Sequence, residues 1–147
     1  MKIQIQKIGV SAVLALSFSA VTPAFATSTG GQWLGAPANN IDVWRFNCPA
    51  GSNGAVARVS DTAPVRPALM QVVLSKDSIP TIQRTAPNEG QSSSATVNDG
   101  PGSYTVAFKK TGAGWEGYRG DVFCSMNVGG PFPLLVDVGG LQRVINQ

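Results

Sequence analysis

The chain has 147 residues, 11 Lys and Arg against 8 Asp and Glu, and no histidine. Without histidine, Ser-His-Asp and Cys-His catalysis are excluded, along with the commonest metal ligand. The sequence also carries no phosphate-binding G-x-x-x-x-G-K-[ST] loop and no EF-hand loop.

The N-terminus reads as an export signal. Lys2 and Lys7 precede the apolar run Ile8–Val21, and Thr22-Pro23-Ala24-Phe25-Ala26 follows. A basic start, a short apolar centre and an Ala-x-Ala ending are the parts of a secretory signal peptide. The apolar run has 14 residues, short of the roughly 20 that span a bilayer. Cleavage after Ala26 is therefore expected, with a secreted or periplasmic product and no membrane span in it. Lys2 and Lys7 leave with the signal, so basic residues fall from 11 to 9 against 8 acids. The pI near 9.1 is then partly a property of the signal, and nucleic acid is not an expected partner.

Residues 27–147 suffice for one domain with a single core. They hold 16 of the 17 glycines and 9 of the 10 prolines, placed as punctuation between short β-rich runs. No long segment has helical periodicity. The fold class is all-β, a single antiparallel β-sandwich of jelly-roll-like kind with one disulfide. Residues 27–40 read as a flexible lead-in, with Trp33-Leu34 tucking onto the domain, and 41–147 as the sandwich domain.

In chain order, Ile41–Cys48 alternates, with Trp44, Phe46 and Cys48 on one face. Ala55–Asp61 follows a Pro- and Gly-rich turn and reads as its hairpin partner. Leu69–Lys76 is a third strand. Pro80–Gln83 suits a sheet edge, where proline is tolerated. Ala95–Val97 is a short strand. Phe132–Val138 and Leu141–Ile145 are closing strands.

Gly102–Lys110 and Trp115–Met126 flank the Gly-rich turn Thr111–Gly114, the sign of a β-hairpin. Tyr104, Val106 and Phe108 share one face, as do Tyr118, Val122, Cys124 and Met126. Matching the two sets side by side needs one extra residue between Thr111 and Gly117. The pairs are then Phe108–Tyr118, Val106–Gly120 and Tyr104–Val122. If the extra residue lies in the turn, Trp115 points outward with Arg119, Asp121 and Phe123. If it is a bulge at Gly117, Trp115 points into the core. The second placement is favoured, because it buries an indole and uses a glycine for the bulge.

Cys48 and Cys124 are the only cysteines. In an exported chain an even count reads as a disulfide. A zinc site of two thiolates would lack its usual companions.

Three other constellations carry chemistry. Asp99, Glu116 and Asp121 are the candidates for a glycosidase-like carboxylate pair, though solvated loop charges are the simpler reading. Asn98-Asp99 with Asp121 would supply only part of a calcium shell, so no metal and no cofactor are expected. Trp115, Tyr118 and Arg119 form a candidate aromatic and basic ligand surface, set against a core role for both aromatics.

Asn98-Asp99-Gly100, Tyr104-Thr105-Val106 and Thr111–Gly114 together resemble bacterial secreted β-sandwich accessory domains of the pre-peptidase C-terminal kind. The resemblance covers Ile41–Val128. This chain departs from it in its cysteine pair, and no attached catalytic domain is expected. The resemblance implies a non-catalytic module that acts through its surface. Some such modules are linked to calcium or substrate binding, which no clustered carboxylate motif here carries over. The expected function is a binding, accessory or envelope and matrix module whose partner is a protein or polysaccharide surface. The alternative is a small secreted enzyme or enzyme inhibitor.

Overall fold

A computed structural model describes residues 27–64, 66–77, 81–129 and 133–147. The expected signal peptide, Pro80 and Phe132 lie outside the described residues. Among the described residues there are ten strands: β1 (Thr27–Leu34), β2 (Ile41–Cys48), β3 (Ser52–Thr62), β4 (Met70–Ser75), β5 (Ile82–Thr85), β6 (Ala95–Val97), β7 (Gly102–Lys110), β8 (Glu116–Met126), β9 (Leu134–Val136) and β10 (Gly139–Ile145). All pairings are antiparallel. The first sheet runs β1-β8-β3-β6, with β9 also on β8, and the second runs β10-β2-β7-β4-β5.

The two sheets pack as a sandwich because their strands alternate apolar residues inward. Tyr104, Val106 and Phe108 of β7 are fully buried, as are Met70, Val72 and Leu74 of β4. Tyr118, Val122 and Cys124 of β8 meet them from the first sheet. Tyr118 lies 5.0 Å from Phe108 between ring centroids. Cys48 of β2 and Cys124 of β8 form the expected disulfide, with Cα atoms 5.5 Å apart. It joins one sheet to the other.

Two expected hairpins are not formed. β7 and β8 belong to different sheets, so Thr111–Gly114 arches between layers. Phe108 therefore faces Tyr118 across the core rather than beside it, and no bulge or fifth loop residue is needed to match them. β2 and β3 are likewise in different sheets. Both errors have one cause. Period-two patterning says which side chains share a face, and two inward faces look the same whether the strands are neighbours or opposites.

The expected flexible lead-in is also corrected. Thr27–Leu34 is an edge strand paired with β8, and Leu34 is fully buried. Its Gly-rich composition concealed the pairing, because Gly30 and Gly31 sit at the register shift between Ser28 and Gly31. β4, β5 and β6 fall close to where the sequence puts them, with β5 at the edge of the second sheet.

Candidate functional site

β8 positions the surface of interest. Its even-numbered residues from Glu116 to Cys124 point inward, and Glu116, Tyr118, Val122 and Cys124 are fully buried. Its odd-numbered residues from Gly117 to Asp121, with Trp115 just before the strand, therefore lie on the outer face of the first sheet. Trp115 is 53% exposed. The favoured inward placement of Trp115 is thus overturned, because no bulge intervenes at Gly117 to reverse the alternation.

The candidate trio is divided by the same alternation. Trp115 and Arg119 share the outer face, and Arg119 Nε donates to Ser28 Oγ at 2.9 Å and contacts Asp121 Oδ1 at 3.3 Å. Tyr118 is core. Its hydroxyl donates to Asp42 Oδ2 at 2.6 Å, and burial first, then this bond, hold the phenol well above its ordinary value.

Trp33, expected with Leu34 to tuck onto the domain, is the aromatic that the candidate surface left out. It pairs with Gly117 in the β1–β8 register and is 53% exposed, while its neighbour Leu34 is buried. Trp33 and Trp115 are therefore diagonal neighbours on one face, a separation of about 7–8 Å, within reach of large side chains. Gly117 lies opposite Trp33 and contributes no side chain between the two. The available signal was Trp33-Leu34 itself, an indole next to a core leucine.

The loops behind both tryptophans are tied together from below. Gly114 N donates to Ala36 O at 2.8 Å. The buried Lys110 donates its ammonium to the carbonyls of Gly35 and Gly114. Glu116 lies in the same interior. Both of its carboxylate oxygens are buried without a hydrogen-bond partner among the described residues, as is Asp61 Oδ2. Burial, then the charge of Asp61, push the Glu116 carboxyl up, against Arg66 and Lys110. Burial pushes Asp61 up too, opposed by a hydrogen bond from the Met70 backbone and helped by Glu89. Burial lowers the Lys110 ammonium, with Glu116 opposing.

This arrangement separates the carboxylates proposed from sequence. Glu116 faces the core and Asp121 the outer surface of the same strand. Asp99 is held by Lys76 at 3.4 Å. Among the described residues, no three acidic or cysteine side chains gather to hold a metal ion.

No family model and no curated protein matches the chain. Among solved structures, it is similar to the pre-peptidase C-terminal domain of a collagenase from Bacillus anthracis, with 21% identity over 67% of this chain and 90% of that one and a TM-score of 0.48. This agrees with the resemblance drawn from the sequence.

Proposed function

We propose that the protein is an exported, non-catalytic β-sandwich that binds a polysaccharide through the outer face of its first sheet. The observation that carries this is the pair Trp33 and Trp115, each 53% exposed on adjoining segments whose loops are joined by Lys110 and Gly114. A large exposed apolar surface on a small domain costs solubility unless it is used. Indoles held in place lose little freedom on binding, and they offer flat apolar faces to sugar rings. Arg119, on the same face, adds a hydrogen-bonding edge.

Export is supported by the Lys-flanked apolar run ending Ala24-Phe25-Ala26 and by the disulfide, which persists in oxidising compartments. N-terminal sequencing of the extracellular or periplasmic protein is expected to start at Thr27. An intact Met1 there would refute cleavage.

Binding is tested by co-sedimentation with insoluble polysaccharides and by indole fluorescence with their soluble fragments. Trp33→Ala with Trp115→Ala should abolish binding and change stability little, within about 0.5 kcal/mol per site as for ordinary surface positions. Full retention of binding by the double variant would remove this surface from the function.

A further inference from the structure

A second feature lies on the same outer face, towards the other end of β8. A groove of about 500 Å³ runs between Val56 and Arg58 of β3, Thr96 of β6 with Asn98 beyond it, Ser125 of β8 and Leu135 of β9. Its size falls among those of ligand pockets. Ser125 is 5% exposed, and its Oγ is buried with no hydrogen-bond partner among the described residues. A hydroxyl so placed on a groove wall lacks a partner that a ligand can supply.

Arg58 is the charged group of the groove. Its guanidinium lies over the Phe123 ring at 5.5 Å, and its Nε donates to Ser94 Oγ at 2.9 Å. These contacts fix the plane of the fork and leave its two terminal nitrogens without a hydrogen bond among the described residues. Asp121 stands opposite Arg58 in the β3–β8 register. Its oxygens are engaged by Arg119 at 3.3 Å and Gln91 at 3.5 Å, and Arg58 forms no ion pair among the described residues. A planar fork held in this way suits a carboxylate, which it can take bidentately.

The rest of the lining is not that of a bare anion site. Val56 and Leu135 form an apolar wall, and Thr96, Asn98 and Ser125 carry hydroxyl and amide groups. We propose that the groove binds a uronic-acid unit of an acidic polysaccharide. Arg58 takes the carboxylate, the apolar wall takes the C–H face of the ring, and Ser125 and Thr96 bond its hydroxyls. An extended acidic peptide fits less well, because a sheet face offers no backbone ladder to pair with. This site goes beyond the tryptophan surface and does not depend on it. Arg58 stands opposite Asp121, six residues along β8 from Trp115, on the order of 20 Å at about 3.3 Å per residue.

The test is a titration of the ¹⁵N-labelled protein with glucuronate and its short oligomers, with glucose and acetate as controls. Saturable shifts at the amides of Val56, Thr96 and Ser125 are expected with glucuronate. Glucose and acetate should each bind at least about tenfold more weakly, a difference of about 1.4 kcal/mol. Arg58→Gln should remove the preference for glucuronate over glucose. Ser125→Ala should weaken glucuronate binding while leaving the fold intact, since it deletes an unpartnered hydroxyl. Trp33→Ala with Trp115→Ala should leave this titration unchanged, so either site can fail without the other. Equal binding of acetate and glucuronate, equal binding of glucose and glucuronate, stronger competition by oligoglutamate, or shifts confined to other faces would each overturn the proposal.

Discussion

Phe108 lies directly over Gly120 across the core: a Cβ built on Gly120 would stand 2.2 Å from Phe108 Cζ and 2.7 Å from both Cε atoms. The glycine is what lets the ring of one sheet reach the backbone of the other. Gly120→Ala should therefore cost about 1–3 kcal/mol through overpacking. The cost should shrink in a Phe108→Leu background, where the ring is gone. Urea unfolding of the four proteins in a double-mutant cycle measures this, and equal costs in both backgrounds would remove the contact as the cause.

Much of this core was legible in the sequence. Period-two alternation puts Tyr104, Val106 and Phe108 on one face of their strand, and Tyr118, Val122 and Cys124 on one face of theirs. What remained hidden was the layer each strand joins, since that is set by contacts distant along the chain. The proposed ligand surface was partly legible for the same reason. Trp115 and Arg119 share parity and lie together, whereas Tyr118 has the opposite parity and lies inside. Trp33-Leu34 signals a contact with the domain, but the face that Trp33 shares with Trp115 follows only from the β1–β8 pairing, which no local pattern around Gly30 and Gly31 announces.

The disulfide ties β2 in one sheet to β8 in the other over a sequence separation of 76. The loop-entropy estimate for a closure of that length is about 4 kcal/mol. Cys48→Ala with Cys124→Ala should lower the unfolding free energy by roughly that amount, measured by denaturant titration. Reductant should lower the parent to the same level and leave the variant unchanged.

Asp42 organises the C-terminal strand from within the core. It is fully buried and accepts from the Tyr118 hydroxyl, from Arg143 Nη2 and from the backbone of Gln147. Tyr118→Phe keeps the ring against Phe108 but removes one donor from a buried carboxylate. The expected loss is about 1–3 kcal/mol. Arg143→Ala should loosen β10, read as faster amide exchange at Gln142–Ile145 than in β7. Uniform exchange across β10 and β7 in that variant would argue against Asp42 as the anchor.

The interior beneath the tryptophans makes stability depend on pH in an unusual direction. The carboxyls of Glu116 and Asp61 are raised by burial above their ordinary values of 4.5 and 3.8. The folded state therefore keeps these protons at a pH where the unfolded chain has released them. In that window the native state binds more protons, so stability falls as pH rises. Their favourable contribution is complete below the unfolded values and is lost as pH climbs through the raised ones. Lys110 acts in the alkaline range. Its ammonium is lowered from 10.5 by burial against the pull of Glu116, so the unfolded chain holds that proton longer and stability rises with pH there. Glu116→Gln removes one of the two raised acids and the counter-charge of Lys110. Urea midpoints measured from pH 4 to pH 8 should fall with rising pH less steeply in the variant than in the parent. Parallel profiles would mean that Glu116 titrates alike in both states, and that the ammonium of Lys110 holds Gly35 and Gly114 without its help.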